Sequence, residues 1–234
     1  MHKYTQKLRM AAKGMSVLIT VLVMGFPLSC QGQRPQRQVQ PSDEFAKYWL
    51  NGKAELTRYE LTQARYGNLN RGEMLLIMVT EPFKTDKQVK SELTPGVGDE
   101  LVLKAQSMRK FVTGIYDYTM TTTSFKSLAF SDKAIKVTST SVEWCGQTFL
   151  QMNLAGSVYK IQSRSYFEAE ADEDFTIDNA VSEDEIWQQI RIAPDRLPTG
   201  KVTLIPSHIS SRLRHKKIKA ETATATLVNS AAKN

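Results

Sequence analysis

The sequence predicts a mainly β protein, built as a large curved antiparallel sheet or half-open barrel with two or three short helices. Apolar and polar residues alternate with a period of two along many segments, which is the pattern of half-buried strands. Glycine, asparagine and proline separate these segments at short intervals, so about ten strands are expected. Helical spacing is confined to short stretches that follow a serine. A two-sheet sandwich is the alternative architecture.

The stretch Ala134–Phe167 is predicted to form the centre of the sheet, as two long strands with a third beside them. Along Thr148–Leu154 one face is apolar or small and the other is mostly polar. Ala155-Gly156 then predicts a two-residue turn, because glycine accepts a positive φ. This turn would pair three inward residues with three others: Leu154 with Ser157, Met152 with Tyr159, and Leu150 with Ile161.

A ligand pocket is predicted where this hairpin joins the preceding strand. Gly146 predicts a bulge or tight corner, where a backbone or a ligand can approach closely. Trp144 is expected beneath or beside the pocket, together with Cys145, Gly146 and Tyr116. The alternative is a core tryptophan that packs the bend, since large aromatic side chains usually serve packing.

Three short helical segments are predicted, the first two behind a serine cap. Ser42 opens a helix that runs to about Leu50 and ends at Asn51-Gly52, with three residues expected to dock on the sheet: Phe45, Trp49 and Leu50. Ser182–Arg191 begins with a capping-box pattern and continues with apolar residues at helical spacing. Ser207–Leu213 predicts a further helical turn.

The other strands are predicted from alternation and from β-branched or aromatic content. They are Ala54–Tyr66, Met74–Val79, Leu101–Lys104, Lys110–Phe125, Lys201–Ile205 and Ile218–Val228. Met74–Val79 is apolar at every position, so both of its faces are expected to be covered. Residues 67–72 predict a turn, Pro82 is expected to end the strand before it, and Lys84–Glu100 predicts a loop or a frayed edge.

Composition excludes a nucleic-acid-binding surface as the main functional feature. The formal net charge of the chain is +7, with 31 basic and 24 acidic residues. Four of the basic residues lie within residues 1–29, so the rest of the chain is near +3. Arg34 and Arg37 lie in the segment that follows, and without them the globular part is close to neutral. An apolar content of 41% is enough for a packed core.

The N-terminal sequence predicts a secretion signal followed by a lipid anchor. A basic stretch precedes Met15–Phe26, an uncharged apolar run that suits a signal peptide and is too short to span a bilayer. Pro27–Cys30 resembles a bacterial lipobox, although the usual leucine three places before the cysteine is Pro27. The resemblance implies diacylglycerol on the Cys30 sulfur and acylation of the new amino group. The alternatives are an ordinary secretory signal and an uncleaved anchor.

These features divide the chain into a signal peptide (1–29), a flexible tether (30–41) and a single β-rich domain (42–234). Gln31 favours an outer-membrane lipoprotein that faces the periplasm, because it is not the aspartate that retains many lipoproteins at the inner membrane. Surface export is not expected, since no acidic run follows Cys30.

No catalytic signature is found in the sequence. Once Cys30 is lipidated, Cys145 is the remaining thiol, and a buried structural role is expected for it. A thiol enzyme would need His208 or His215 beside Cys145, and neither histidine lies in a motif. A weak calcium site is considered at three residues: Asp172, Asp174 and Asp178. No metal and no cofactor is predicted.

The basic stretch Arg212–Lys219 has three interpretations. A plain solvated face is favoured, because runs of charge usually are solvated. The stretch could instead meet lipid head groups, or pair with the acidic residues of 168–174.

Eight strings carry a resemblance to a known family: NGKAELTRYELTQARYG, RGEMLLIMVTEPF, DKQVK, RKFVTGIYDY, EWCGQTF, IQSRSYFE, EDEIW and LPTG. They resemble uncharacterised lipoproteins of Bacteroidetes-type bacteria over roughly Tyr48–His215. The family has no assigned activity, so no functional residue is transferred. Some members bear a septum-formation-inhibitor label, which implies a cytosolic pyrophosphatase; we reject it because its Arg-Arg phosphate-binding signature is missing. Members extend further than Asn234, so Ile218–Val228 is expected to be an exposed edge.

The sequence therefore predicts a lipid-anchored envelope protein that binds an apolar ligand or a protein partner without catalysis. Two alternatives stay open. One is a hydrolase that uses Cys145 or a pair of carboxylates, and the other is a structural component of an envelope complex.

Overall fold

The computed structural model describes residues 42–92, 99–129 and 133–228, and within them a large antiparallel sheet of nine strands carries the fold. Its strands are β1 Glu55–Arg65, β2 Asn68–Lys84, β3 Val89–Lys90, β4 Asp99–Thr113, β5 Tyr116–Ser127, β6 Ala134–Glu143, β7 Gly146–Ala155, β8 Val158–Ser165 and β9 Glu173–Asp178. A second sheet contains β10 Val181–Ser182, β11 Gly200–Ile205 and β12 Glu221–Ala225. The helices are α1 Asp43–Trp49, α2 Ile186–Ile192 and α3 His208–Leu213.

The predicted fold class is confirmed: the large sheet is open and is accompanied by short helices. Its strand order is β1-β2-β4-β5-β6-β7-β8-β9, with β3 paired to the far part of β2. None of the described helices combines the length and apolarity that crossing a membrane requires. The predicted signal peptide, Cys30 and the tether lie outside the described residues.

Successive antiparallel strands place alternate turns at opposite ends of the sheet. One end carries the turns Tyr66-Gly67, Gly114-Ile115 and Trp144-Cys145, and the chain also leaves β8 there, at Tyr166-Phe167. We call this end the hairpin end. The opposite end carries the turns at residues 85–88 and 156–157.

The core lies between one face of the large sheet and a covering layer. Directly paired residues of neighbouring strands point to the same face, and this inner face contains the buried β2 residues Met74, Leu76 and Met78. Helices α1 and α2 cover β2 and β4 with Phe45, Trp49 and Trp187. The small sheet covers β6–β8, and α3 covers β4 and β5 between them.

The helix caps follow the sequence predictions. The Ser42 hydroxyl accepts a hydrogen bond from the Phe45 N–H at 3.1 Å, and Ser182 caps the 3₁₀ turn that leads into α2. Phe45 and Trp49 are buried as expected. The prediction that Leu50 docks on the sheet is wrong, because its side chain is exposed. Leu50 follows the last residue of α1, where the chain turns away towards Gly52 with its φ of 75°.

The predicted β7–β8 hairpin is confirmed, but its register is wrong by two residues. Ala155 pairs with Val158 and Met152 with Ile161, so the turn is Gly156-Ser157. Gly156 has a φ of 63°, which suits the first position of a type II′ turn. An even slip keeps every side chain on its predicted face, and Met152 and Ile161 are buried together as expected.

One predicted turn, one predicted strand and one predicted strand end are also wrong. Residues 68–72 belong to β2 rather than to a turn, because the chain reverses at Tyr66-Gly67. The predicted strand Lys110–Phe125 is two strands, divided at Gly114, whose φ is 60°. Pro82 does not end β2; it pairs with Leu101 and lies beyond the point where Glu55, the first residue of β1, pairs with Met78, so its missing N–H leaves no bond to β1 unmade.

Strand β2 has only one fully buried face. Its outer residues Leu75, Ile77 and Val79 are half-exposed, so the prediction that both faces are covered is wrong. Tyr118 and Thr122 of β5 are buried on the inner face. Strand β9 was not predicted, because the segment that leads into it, Glu168–Asp174, is mostly acidic.

Gly72 provides a test of how closely β2 and β4 approach. A Cβ atom there would lie 2.2 Å from the Lys110 carbonyl oxygen and 2.7 Å from the Phe111 Cβ. We expect Gly72→Ala to lower the free energy of unfolding by about 1–3 kcal/mol, because backbone atoms must move. Urea denaturation measures this change.

Gly146→Ala is the matched control. Its Cβ would lie 2.5 Å from Tyr166, whose exposed ring can rotate away, so we expect a loss of about 0.5 kcal/mol or less. Equal losses for the two variants would contradict the close approach at Gly72.

Candidate functional site

The predicted pocket residues lie together at the hairpin end, on the surface. Trp144 is 69% exposed, and its ring centroid is 6.3 Å from that of Tyr116 in an edge-on contact. The core alternative for Trp144 is therefore wrong, and so is the expectation of a buried thiol, because Cys145 is exposed. The close approach expected at Gly146 is made by the ring of Tyr166. The cavities described below are lined by other residues.

A covered cavity lies between the inner face and α3. Small hydroxyl residues occupy neighbouring inward positions of β5–β8, where they leave space under the helix. The cavity has a volume of about 110 Å³ and is lined by Ser139, Ser141, Thr148, Ser163, His208 and Arg212, among others. We call it the hydroxyl cavity.

His208 gives the hydroxyl cavity an unusual polar group. The side chain is 2% exposed, and neither ring nitrogen has a hydrogen-bond partner. Burial lowers the pKa of His208, with a smaller opposing effect from Asp184. A neutral imidazole can donate from one nitrogen and accept at the other. The cavity exceeds the roughly 10–15 Å³ that one water needs, so it can hold several waters or one small neutral polar molecule.

The charged side chains beside this cavity compensate one another. Arg212 pairs with Glu143 at 2.8 Å and with Glu170 at 3.3 Å, and His215 contacts Glu170 at 2.7 Å. The Arg212 guanidinium also lies 4.1 Å from the centre of the Phe167 ring. The basic stretch therefore pairs with the acidic run, and the favoured interpretation of a solvated face is wrong for Arg212.

An open cleft lies on the other side of α3, at the hairpin end. Its volume is about 440 Å³, and its lining includes Gln63, Arg65, Arg109, Ser207, Ser210 and Arg214. None of the described acidic residues lines it. We call it the arginine cleft.

Arg109 is the partly buried cation of this cleft. It lies on the inner face of β4 opposite Met74 and is partly buried. Among the described residues its guanidinium forms no hydrogen bond or ion pair, and its Nε is buried without a partner. Burial lowers the pKa of Arg109, with a smaller opposing effect from Asp184. The Asp184 carboxylate itself accepts hydrogen bonds from the Ser207 hydroxyl and the His208 N–H.

Arg65 lines the same cleft and is held in place by hydrogen bonds. It is buried, it donates to the Leu213 carbonyl, and it donates to the Tyr66 hydroxyl at 2.9 Å. Its Nε atom is also buried without a partner. Arg214 is exposed and follows α3. The three guanidinium groups together can bind an anion.

The arginine cleft was missed in the sequence because its residues come from three distant segments. Arg109 could have been found from the alternation along β4. Once this strand is placed, the alternation puts the permanently charged side chain of Arg109 on the inner face, where a charge requires a partner.

The aspartates considered for calcium have other partners. Asp174 pairs with Arg164 at 2.8 Å, and Asp172 accepts a hydrogen bond from the Ser165 N–H. In the described parts of the chain, no group of three or more His, Cys, Asp or Glu residues is placed to hold a metal ion.

A second polar cluster, under the 3₁₀ turn and α2, is structural. The Glu185 carboxylate lies 3.4 Å from the Lys126 ammonium and accepts from the Ala134 N–H, and both charged side chains are almost fully buried. The pairing of β5 with β6 skips Ile135, which brings Lys126 opposite Ala134. Burial raises the pKa of Glu185 to about 7, although Lys126 and the Ala134 N–H act in the opposite direction.

Comparison of this chain with models of known protein families, with curated proteins and with solved structures found no match. The resemblance to envelope lipoproteins therefore stays a prediction.

Glu185 predicts how stability depends on pH. Its pKa is about 7 in the folded protein and near 4.5 when unfolded, so between these values the folded state binds more protons. This contribution to the free energy of unfolding is fully present below pH 4.5 and is lost as the pH rises to about 7, amounting to about 3 kcal/mol.

Urea denaturation across this pH range measures the effect. We expect Glu185→Gln to remove this part of the pH dependence, whereas Glu60→Gln, which changes an exposed carboxylate on β1, should leave it in place. A pH profile that is identical for the wild type and Glu185→Gln would contradict the assignment.

Proposed function

We propose that this protein is a lipid-anchored, non-catalytic binding module of the cell envelope, and that its ligand carries an anionic group. The anchor is Cys30, which would hold the protein on the outer membrane, facing the periplasm. One observation supports the ligand class: the partly buried guanidinium of Arg109, which has neither a hydrogen bond nor an ion pair among the described residues.

The physical reason is the cost of leaving a cation partly desolvated. A guanidinium stays charged at any physiological pH, so Arg109 cannot relieve its burial by losing a proton. An anion in the arginine cleft would supply the missing negative charge and would accept hydrogen bonds from the planar N–H groups of the guanidinium. Phosphate and carboxylate groups both fit this geometry, and the volume of about 440 Å³ leaves room for a larger molecule that carries such a group.

This ligand class replaces the apolar ligand predicted from the sequence. The inner face of the large sheet, where an apolar ligand could otherwise lie, is covered by helices and by the small sheet. The hydroxyl cavity is smaller, at about 110 Å³, and its charged residues are paired with one another. The arginine cleft is therefore the better-supported site for a ligand.

Thiol catalysis receives little support. Cys145 is exposed, and no hydrogen bond joins it to a histidine in the described residues. His215 is instead held by Glu170, and His208 is buried beneath α3.

Titration of the full chain with inorganic phosphate, and separately with acetate, tests the arginine cleft. A charge-assisted hydrogen bond contributes about 1.5–3 kcal/mol, so we expect Arg109→Gln to weaken phosphate binding about tenfold or more. Arg214→Gln should weaken it less, because that side chain is exposed. Isothermal titration calorimetry measures both changes.

Arg71→Gln is the matched control, because Arg71 is exposed and lies on the outer face of β2. We expect this variant to bind phosphate as the wild type does. An equal loss at Arg71 and Arg109 would indicate non-specific surface binding and would contradict the site, as would a wild type that binds neither anion.

The anchor has a separate test. When the producing bacteria grow with labelled palmitate, we expect the protein to carry the label and Cys30→Ala to lose it, since the acyl chains depend on the Cys30 sulfur. Cys145→Ala is the matched control and should keep the label. A labelled Cys30→Ala variant would contradict the proposed anchor.

A further inference from the structure

The hairpin end exposes a row of large apolar and aromatic side chains. Five of them are between 68% and 75% exposed: Tyr66, Leu69, Ile115, Trp144 and Tyr166. Val112 and Val142 lie beside them and are also exposed. These residues come from three successive turns and from the end of β8, so the sheet itself brings them to one edge.

The opposite end of the sheet has a different composition. Its described turns are Thr85-Asp86-Lys87-Gln88 and Gly156-Ser157, which contain only polar residues and glycine. The described turns at that end therefore carry no large apolar tip, although Leu56, Val89 and Leu101 are exposed on strands elsewhere in the sheet.

The form of the row favours a bilayer over a folded protein partner. Neighbouring hairpin turns are two strands apart, or about 10 Å, so the residues project as separate tips rather than as one flat patch. A protein interface needs a packed core of close complementarity, whereas separate tips can each enter the soft zone of lipid head groups. Tryptophan and tyrosine are the side chains that favour this zone, since each combines an apolar ring with a polar group.

On the β1–β2 side of this end the charge is complementary to phospholipid, whereas the acidic residues Asp117 and Glu168 are exposed on the β5 and β8 side. The arginine cleft is bounded by the Tyr66-Gly67 turn, so Arg109 and Arg214 lie beside the apolar row. Basic side chains next to a bilayer are attracted to anionic head groups by about 1 kcal/mol each.

We propose that the hairpin end docks on a phospholipid bilayer, with Ile115, Trp144 and Tyr166 in the head-group zone and the arginine cleft facing lipid phosphate. The proposal depends on the proposed anchor only for distance. Residues 31–41 would reach at most about 40 Å when extended, which keeps the domain within reach of the membrane. In this arrangement, the phosphate of a lipid head group is the anion that binds in the arginine cleft.

The exposed thiol of Cys145 provides a probe at the centre of the row. The full chain carries an environment-sensitive dye on Cys145 and is reconstituted into vesicles of phosphatidylcholine with phosphatidylglycerol and a spin-labelled lipid. The matched control places the dye at the opposite end, by Ser157→Cys in a Cys145→Ser background. Both proteins are held on the vesicle in the same way, so only the position of the dye differs.

We expect the dye on Cys145 to shift its emission to shorter wavelength and to be quenched several-fold more than the dye at position 157. Ile115→Ser combined with Leu69→Ser should reduce this quenching, and urea denaturation should show unchanged stability because both side chains are exposed. Equal quenching at the two positions, or none at either, would overturn the proposal. A blue shift that requires an envelope extract and not vesicles would assign the row to a protein partner, and would also overturn it.

These outcomes are separate from those of the proposed function. The mass of the purified chain reports acylation directly, and the phosphate titration reports the cleft in the absence of lipid. Arg109→Gln would weaken phosphate binding without removing the apolar tips, so the dye on Cys145 would still be quenched.

Discussion

The buried contact between Lys126 and Glu185 is the constraint on which the two-layer arrangement depends. It joins the middle of the large sheet to the turn that begins α2, and neither charge would be stable in the core without the other. Gln188, which follows closely in α2, donates to the carbonyls of Leu103 and Ser124 and ties the helix to β4 and β5. Because these contacts are directional, they determine where the covering layer lies, which apolar packing alone would leave adjustable.

Most of the large sheet could be predicted from local patterns, because alternation identifies a strand and its faces without knowledge of its partner. Turn positions were less certain, as the β7–β8 hairpin illustrates. Ala155-Gly156 and Gly156-Ser157 both contain the glycine, and a shift of two residues satisfies the apolar pattern equally well. The skipped residue Ile135 could not be predicted, since the neighbouring Ala134 N–H donates to the distant carboxylate of Glu185 and no local pattern marks that contact.

The candidate site was less accessible to sequence reasoning than the fold. Arg65, Arg109 and Arg214 meet only after β1, β4 and the segment after α3 have been placed in space, so no spacing along the chain marks them. The burial of Trp144 and Cys145 was predicted from their residue types, which are both usually buried. Their position in a two-residue turn at the end of a long hairpin outweighs that preference, because the sheet has no further layer there to cover them.

Helix α3 is a wall shared by two spaces of different character. His208 and Arg212 face the hydroxyl cavity, and Ser210 and Arg214 face the arginine cleft. A rigid displacement of so short a helix towards one space would enlarge the other, so a molecule bound in the cleft and water in the cavity would compete for the position of α3. Any such linkage would be reciprocal, because each bound molecule would change the free energy of binding of the other by the same amount.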